Sequence, residues 1–407
     1  MQRSGPKLSV PPASVFDVRV LHTSDWHLGR TLHGTDMHEH QQAFLDHLVG
    51  LVGQRKIDAV LVAGDVYDRA IPSVETVRLL SDALSRLSEI TTVILTPGNH
   101  DSAVRLGFAA GLLRDNVRIL ASVDDLHNPV VLSDEYGEVV IYGFPYLDPD
   151  GARASLAAED GELPARSHAG VLTAAMDRVR SDLARRTGSA NLRSIVMAHA
   201  FVTGGAKSDS ERDITIGGVD SAPSAIFDGV DYVALGHLHG PQQITIAGSS
   251  TRLRYAGSPL AYSFSEMNHK KSSVVLEFGS NGLESEELVL APVPRPLAEL
   301  RGPIDDILGP DSEGVKDAWL RIFVTDPTYP TDMVARLRER FPYALVMQHV
   351  PEGSDVASLA PTVTEEMNPM EVAADFVAFV TNAPPTDSES RVLLKAYEAV
   401  KAEQLSQ

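Results

Sequence analysis

Apolar residues recur in short runs between Val18 and about Phe278, and each run is followed by Gly, Asp, Asn or His. Runs this apolar are typical of strands that are covered on both faces of a sheet. Helical patterns lie between several of the runs, for example from His38 to Gln54 and from Ser73 to Leu87. This alternation predicts an α/β fold, a sandwich with a largely parallel central portion. The runs are VRVLH, DAVLVAGD, TTVILTPGNHD, VVIYGFP, SIVMAHA, DYVALGH, RYAGSP and SSVVLEF.

The pattern changes at Ala291-Pro-Val-Pro-Arg-Pro296, which predicts a linker. After it, Trp319-Leu-Arg-Ile-Phe-Val324, a helical stretch from Asp332 to Arg340 and Ala344-Leu-Val-Met347 predict a small β-α-β unit. Such a unit is too short to hold a separate large active site. The predicted regions are a flexible N-terminus over 1–15, a large α/β domain over 16–285, a small α+β capping domain over 297–355 and a C-terminal helical region over 362–407.

Two amphipathic segments end the sequence and predict a helical hairpin. The first opens with Asn368-Pro369, a favourable pair for the N-cap and first turn of a helix. The second runs from about Ser388 to Leu405. The pattern leaves two possibilities open, packing on the chain's own domain or docking on a partner. The apolar faces consist of Val372, Phe376, Phe379 and Val380 in the first segment and Leu393, Tyr397, Val400 and Leu405 in the second.

Composition and charge exclude several classes of protein for this chain. At 407 residues the chain is long enough for two or three domains. It has no cysteine, which excludes disulfides, zinc–thiolate sites and thiol catalysis. The formal charge of -20 argues against broad attraction to nucleic acid, so a DNA substrate would require metal ions or a partner to supply positive charge. No stretch is apolar enough to span a bilayer or to form a signal peptide, so we expect a soluble, cytoplasmic protein.

Metal-binding residue types follow five of the predicted strands at the point where each strand ends. Any one of these motifs is compatible with an ordinary polar loop, but their repetition favours a metal centre. Oxygen and imidazole ligands without sulfur suit Mn, Fe, Zn or Mg. The set is too large for one ion, whereas two ions about 3.5–4 Å apart that share one carboxylate would use all of it. The motifs are Asp25-Trp-His27, Gly64-Asp65-Val-Tyr-Asp68, Gly98-Asn99-His100, His199 and Gly236-His237-Leu-His239.

The order of these motifs resembles the calcineurin-like metallophosphoesterases, whose pattern is D-x-H, G-D, G-N-H-[DE], H and G-H-x-H. The resemblance implies a two-sheet α/β sandwich metallophosphoesterase core that activates water with two ions for in-line attack on phosphorus. It implies that His100 is not a ligand but faces the scissile phosphate as a proton donor or a stabiliser of charge. The implied ligands are Asp25, His27 and His239 on the first ion, Asn99, His199 and His237 on the second, and Asp65 between the two.

Asp68 could influence the protonation of His100. The form Gly-Asp-x-x-Asp-Arg also occurs in protein phosphatases of this superfamily, in which that aspartate pairs with the histidine of the G-N-H motif. We therefore hypothesise that Asp68 hydrogen-bonds His100 and raises its pKa, which would keep His100 protonated as an acid.

Longer stretches resemble the SbcD family of DNA repair nucleases, namely HTSDWHLGRTLHG, TPGNHDS, ALGHLHGPQ and YAGSPLAYSFSE. The resemblance implies a nuclease subunit that uses two divalent ions, Mn²⁺ first and Mg²⁺, Fe²⁺ or Zn²⁺ as alternatives. It implies a homodimer within a heterotetramer with SbcC, a coiled-coil ATPase, in the cytoplasm at the nucleoid. The implied activities are ATP-stimulated exonuclease action on double-stranded ends and endonuclease action on single strands and hairpins, in repair, recombination and replication.

The same resemblance favours docking of the C-terminal helices on SbcC, with Phe376, Phe379, Leu393 and Tyr397 as anchors. The complex, rather than this acidic subunit, would then supply most of the attraction to DNA. Two alternatives remain at this point. One is a stand-alone phosphodiesterase that acts on a small nucleotide, and the other is an inactive scaffold, against which the complete ligand set argues.

Overall fold

The computed structural model describes residues 17–113, 115–186, 192–212, 221–352, 370, 372–373, 377 and 385–404. The predicted flexible N-terminus over 1–15 and the predicted anchors Phe376 and Phe379 lie outside the described residues. Contacts between residues divide the chain into two compact units, Met1–Leu297 and Ala298–Gln407. Among the described helices, none combines the length and the apolar character needed to cross a membrane.

Fourteen strands lie in the described part of the first unit. They are β1 (Val18–Thr23), β2 (Thr31–Leu32), β3 (Thr35–Asp36), β4 (Ala59–Ala63), β5 (Thr92–Thr96), β6 (Val117–Ile119), β7 (Val130–Asp134), β8 (Gly137–Gly143), β9 (Arg193–His199), β10 (Tyr232–Gly236), β11 (Gln242–Ile244), β12 (Arg252–Tyr255), β13 (Ser272–Gly279) and β14 (Gly282–Leu290). The predicted domain end at 285 falls within β14, which continues its sheet for five more residues.

Two six-stranded mixed sheets contain most of these strands. The first has the order β14-β13-β1-β4-β5-β6, and the second has the order β11-β12-β10-β9-β8-β7. In the first sheet β1, β4, β5 and β6 are parallel, while β13 and β14 are antiparallel additions. In the second sheet β8, β9, β10 and β12 are parallel. The carboxyl ends of the parallel strands therefore meet at one edge of each sheet.

Strand β4 shows why the sheets stack. Because successive side chains point to opposite faces, Val60 and Val62 pack beneath the outer helices, whereas Ala59 and Leu61 pack against the second sheet. Every residue of β4 is buried, as expected for a strand covered on both faces. The two-sheet α/β sandwich predicted for this domain is confirmed.

Helices cover the outer faces of the two sheets. Helix α1 (His38–Arg55) and helix α2 (Val74–Ser88) pack on the first sheet, and both agree with the predicted helices to within one residue. Ser73 caps α2, since its side chain accepts a hydrogen bond from the backbone N–H of Thr76. The further helices of this unit are α3 (Ala103–Leu106), α4 (Pro149–Ala152) and α5 (His168–Arg186), the last of which packs on the second sheet.

The second unit contains a three-stranded sheet in the order β15-β16-β17. The predicted β-α-β unit corresponds to β16 (Trp319–Val324), α7 (Met333–Arg340) and β17 (Ala344–His349), in which the two strands are parallel. Strand β15 (Leu297–Gly302) is not among the predicted strands, because LAELRG contains no continuous apolar run. A short helix α6 (Ile304–Ile307) follows β15, and the last helix is α8 (Asp387–Gln404), close to the predicted 388–405.

Candidate metal centre

The loops that follow β1 and β4 run side by side, which brings their ligand residues together. The backbone N–H of Asp25 donates to Gly64 O at 3.1 Å, and that of His27 donates to Asp65 O at 2.9 Å. A further bond joins Leu28 N to Val66 O at 3.0 Å. These bonds extend the parallel pairing of β1 and β4 beyond the sheet edge and fix the three predicted ligands relative to one another.

Four of the seven predicted ligands have a backbone conformation that L-residues rarely adopt. The φ angles are 52° at Asp25, 44° at His27, 48° at Asp65 and 107° at His237. Such conformations cost on the order of 1–3 kcal/mol each and persist where the surrounding structure enforces them, most often at functional sites. The strain supports a functional role for these loops.

Glycine is required where the backbone segments meet. A Cβ atom on Gly236 would lie 1.8 Å from the carbonyl oxygen of Ala63, and one on Gly98 would lie 2.3 Å from the backbone nitrogen of Asp65. Real side chains do not tolerate such distances, so these two positions admit only glycine without rearrangement.

The predicted ligand atoms converge in two halves. In the first half, His27 Nε2 lies 3.0 Å from His239 Nε2. In the second half, Asn99 Oδ1 lies 2.9 Å from His199 Nε2 and 3.2 Å from His237 Nδ1. Asp65 Oδ2 lies between the halves, 3.5 Å from His27 Nε2 and 3.3 Å from His199 Nε2.

The first half contains two imidazole nitrogens that lie 3.0 Å apart, His27 Nε2 and His239 Nε2. Glu266 Oε1 lies 3.3 Å from His239 Nδ1 and favours the proton of that ring on Nδ1, which leaves the lone pair on Nε2. His27 Nε2 lies 3.5 Å from Asp65 Oδ2, whereas His27 Nδ1 lies 3.6 Å from Asp68 Oδ1, beyond hydrogen-bond distance. Buried imidazole nitrogens that converge on a carboxylate oxygen are ligands of divalent metal ions, so the residues present fit such an ion.

The charges of the centre also favour a cation. Burial raises the pKa of Asp25 to about 6. Burial alone would lower the pKa of His199, but the neighbouring carboxylates of Asp65 and Asp25 raise it to about 9. Two buried carboxylates therefore hold a proton on His199 that a metal ion would replace.

The hypothesis for Asp68 and His100 is wrong in its atomic detail. His100 Nδ1 donates to the backbone carbonyl of Asp68 at 2.8 Å, whereas the nearest carboxylate oxygen of Asp68 is 3.9 Å away. Burial lowers the pKa of His100, and the charge of Asp65 and the carbonyl of Asp68 only partly oppose this effect. The Asp68 carboxylate instead approaches His27 and Arg30. The backbone contact keeps a proton on Nδ1 of His100 and directs Nε2 to other partners.

Two side chains that no sequence motif indicates support the ligand loop. Gln41 of α1 accepts from Gly29 N at 3.0 Å and donates to His27 O at 3.0 Å, and Tyr262 donates to Trp26 O at 2.7 Å. Tyr262 lies 236 residues from Trp26, and Gln41 lies on a separate element, helix α1, so the loop's own sequence indicates neither of them.

A buried ion pair lies behind His239. Lys271 Nζ is 2.5 Å from Glu266 Oε2, and the two side chains are almost fully buried. Burial alone would raise the pKa of Glu266, but its contacts with His239 and Lys271 hold that pKa well below its usual range. Glu266 is therefore ionised at neutral pH.

The chain is similar to known phosphoesterases and nucleases. Residues 18–241 match the calcineurin-like phosphoesterase family, and residues 293–381 match the type 5 capsule protein repressor C-terminal domain. The D subunit of the SbcCD nuclease of Escherichia coli strain K12 is 31% identical over 330 residues, which cover 79% of this chain and 81% of that protein. Its namesake from Escherichia coli O157:H7 matches with the same identity and coverage.

Similarity to solved structures is weaker. The crystal structure of TT1561 of Thermus thermophilus aligns with a TM-score of 0.39 at 14% identity, covering 68% of this chain and 100% of that one. GAP50, the anchor in the inner membrane complex of Plasmodium, aligns with a TM-score of 0.38 at 11% identity, covering 84% and 99%. The family of this chain is therefore assigned from the sequence matches alone.

Proposed function

This chain belongs to the SbcD nucleases of the calcineurin-like phosphoesterase family, and from that premise we propose that it cleaves DNA phosphodiesters as the nuclease subunit of an SbcC-SbcD-like complex. Because it belongs to this family, the chain is a metal-dependent phosphodiesterase. The observation that best supports the proposed chemistry is the position of Asp65 Oδ2, within 3.5 Å of one histidine nitrogen from each half of the centre. One carboxylate that reaches both halves suits two ions close together.

The proposed ligands are those expected from the motifs. Asp25, His27 and His239 would hold one ion, Asn99, His199 and His237 would hold the second, and Asp65 would bridge them. Mn²⁺ is the proposed ion, with Mg²⁺, Fe²⁺ and Zn²⁺ as alternatives that this donor set also accepts. When bound, two such ions supply an activated water and neutralise charge on the phosphoryl oxygens.

His100 is the proposed catalytic side chain outside the ligand set. Its Nδ1 is committed to the backbone carbonyl of Asp68, so only Nε2 remains for a substrate. Since Nδ1 already carries a proton, Nε2 would donate a proton or a hydrogen bond to the leaving oxygen in the imidazolium form, which the negative charge of a bound phosphodiester favours. Asp68 would act through its carbonyl, which sets the tautomer and orientation of the His100 ring.

The proposed partner is SbcC, which would dock on the C-terminal helices. Leu393 and Tyr397 are only partly exposed on the described helix α8, and with Phe376 and Phe379 they would form the anchors. The net charge of -20 supports a division of labour in which SbcC contributes most of the attraction to DNA. The proposed activities are ATP-stimulated exonuclease action on double-stranded ends and endonuclease action on single strands and hairpins, in the cytoplasm at the nucleoid.

We also propose a homodimer within the heterotetramer. Four apolar side chains in and next to α2 and α3, here called the α2–α3 surface, are strongly exposed, namely Val74, Val104, Phe108 and Leu112 at 67%, 85%, 82% and 88%. Exposed large apolar side chains are typical of interaction sites. We propose a second copy as the occupant, because the resemblance to the SbcD nucleases implies a homodimer and these side chains belong to the phosphoesterase domain itself.

The proposal is tested by cleavage of an end-labelled DNA hairpin with Mn²⁺, with and without SbcC and ATP. We expect His100→Ala to reduce cleavage about 10²–10⁴-fold, as is typical for loss of a general acid. The exposed His127 provides the matched control His127→Ala, which should cleave like the wild type. Failure to cut DNA together with rapid hydrolysis of bis-p-nitrophenyl phosphate would contradict the nuclease proposal and favour the stand-alone phosphodiesterase.

A further inference from the structure

His239 is held at every polar atom except the one that faces the metal centre. Its backbone N–H donates to Glu211 Oε1 at 2.7 Å, and its carbonyl accepts from Lys271 Nζ at 2.9 Å. Its Nδ1 lies 2.6 Å from Ser210 Oγ and 3.3 Å from Glu266 Oε1. Only Nε2 remains, and it faces His27 Nε2.

The hydrogen bonds around Nδ1 have one consistent direction. Lys271 can only donate, and it donates to Glu266 Oε2 and to Ser258 Oγ. The carboxylate of Glu266 can only accept, so Ser210 O–H donates to Glu266 Oε1. The Ser210 oxygen is then free to accept from His239 Nδ1–H. The carboxylate thus fixes the proton on Nδ1 and leaves the lone pair on Nε2.

Stability does not explain this arrangement. Glu266 and Lys271 are 1% and 3% exposed, and the removal of two such charges from water is unfavourable. Well-packed apolar side chains of similar volume are often as stable as a buried ion pair or more so. The pair therefore requires a role that apolar side chains lack, and its contact with the His239 ring indicates that role.

We infer that Glu266 is a positioning residue that fixes the tautomer and orientation of His239, so that Nε2 is presented to the metal ion. Lys271 holds the Glu266 carboxylate in place from behind. This inference rests on the proposed function, because it takes His239 to be a metal ligand.

Glu266→Gln provides a nearly isosteric test. The amide has a single oxygen, and Lys271 takes it because a lysine ammonium needs an acceptor. The NH₂ group then faces Ser210 and reverses the direction of the hydrogen bonds, which moves the proton of His239 to Nε2. We expect one of the two Mn²⁺ affinities to fall about 10–100-fold, as is typical for loss of a carboxylate that orients a metal-binding histidine.

The measurement is a titration of the full-length protein with Mn²⁺, in which free Mn²⁺ is followed by electron paramagnetic resonance. Lys271→Met is the matched variant, since it breaks the same ion pair but leaves the carboxylate facing the ring. Because Lys271 also holds the carboxylate and the His239 carbonyl, we expect Lys271→Met to lower the unfolding midpoint and to weaken Mn²⁺ binding, but less than Glu266→Gln does. Glu287→Gln, which removes a carboxylate from an exposed ion pair with Arg55, should bind Mn²⁺ like the wild type.

Wild-type Mn²⁺ affinity in Glu266→Gln, or equal losses in Glu266→Gln and Lys271→Met, would overturn the inference. If Glu266→Gln does not fold, Glu266→Asp keeps the charge opposite Lys271 and withdraws the carboxylate from the ring. That variant should lose affinity at least about 5-fold, and unchanged affinity would equally refute the inference. His239→Ala separates the two proposals, because unchanged Mn²⁺ affinity in that variant would contradict the proposed ligand set itself.

Discussion

The carboxylate of Asp101 joins two ligand loops. Its oxygens accept hydrogen bonds from the backbone N–H groups of Val66, Tyr67 and Gly98 at 3.0, 2.8 and 2.9 Å. Val66 and Tyr67 follow the bridging Asp65, and Gly98 precedes Asn99. One side chain therefore sets the separation between the loops that contribute these two ligands.

We expect Asp101→Asn to weaken both the fold and the metal centre. Asparagine keeps one acceptor oxygen but turns an NH₂ group toward the N–H groups of Val66 and Gly98, so two buried donors lose their partner. The expected loss is about 2–4 kcal/mol of unfolding free energy, with weaker Mn²⁺ binding. Chemical denaturation and a Mn²⁺ titration check this prediction. The exposed Asp82 gives the control Asp82→Asn, and equal behaviour of the two variants would contradict it.

His22 makes stability depend on pH. Burial lowers the pKa of His22 to about 3, and the ring is neutral with Nδ1 3.0 Å from the Tyr232 hydroxyl. In the unfolded chain the ring takes up a proton below about pH 6.5. The unfolded state thus binds the extra proton, and stability falls as pH drops from about 6.5 toward 3.

Replacement by glutamine should flatten this dependence. Glutamine can keep a hydrogen bond to Tyr232 but does not titrate. The unfolding free energy of His22→Gln should therefore fall less steeply with decreasing pH than that of the wild type, by up to about 1.4 kcal/mol per pH unit. Unfolding free energies in EDTA at pH 7.5, 6 and 5 measure the slope. The exposed His127→Gln should keep the wild-type slope, and the idea fails if His22→Gln does so too.

At the residue scale, the ligands could be proposed from sequence because each lies at or just beyond the end of an apolar run, so position along the chain indicates position in space. The residues that orient them could not be found in this way. Gln41 lies on helix α1 and Glu266 at the end of a short 3₁₀ helix, and their contacts with His27 and His239 depend on how separate elements pack. The pairing of Asp68 with His100 was predicted between side chains, but a backbone carbonyl makes the bond, and sequence carries no signal for that choice.

At the scale of elements, the centre depends on a close approach of two strands from different sheets. The Gly236 end of β10 lies against the Ala63 end of β4, so close that a Cβ on Gly236 would be 1.8 Å from the Ala63 carbonyl oxygen. The strands were predictable from their apolar runs. The distance between the sheets was not, since it depends on the absence of one side chain.

Two glycine substitutions should act in opposite directions. Gly236→Ala forces the β4 and β10 ends apart, and we expect a lower unfolding midpoint and loss of Mn²⁺ binding. Gly50 lies in the exposed face of α1, where an added Cβ would meet no atom within 4 Å, so Gly50→Ala should stabilise the protein by about 0.5–1 kcal/mol. Thermal unfolding of both variants checks the pair, and a stable, Mn²⁺-binding Gly236→Ala would contradict the argument.

At the scale of the whole molecule, the α2–α3 surface predicts self-association. Serine in place of Phe108 and Leu112 removes two of its most exposed apolar side chains, so the double variant should sediment as a monomer when the wild type sediments as a dimer. Analytical ultracentrifugation measures this directly. Leu163→Ser, at an exposed leucine outside the surface, is the control and should remain dimeric. An unchanged dimer in the double variant would place the interface elsewhere.

Strand β1 is synthesised long before β13, a strand with which it pairs. Val18–Thr23 leaves the ribosome early, but its antiparallel neighbour Ser272–Gly279 is roughly 250 residues away in sequence. At about 5–20 residues per second, translation takes on the order of ten seconds or more to reach that neighbour. Until then β1 has an open edge, and the loop with Asp25 and His27 lacks the late hydrogen bonds from Tyr262 to Trp26 O and from His237 N to Asp25. The first ligands to be synthesised therefore wait for distant segments before their surroundings are complete, and a chaperone that covers β1 during this interval would protect the nascent chain from aggregation.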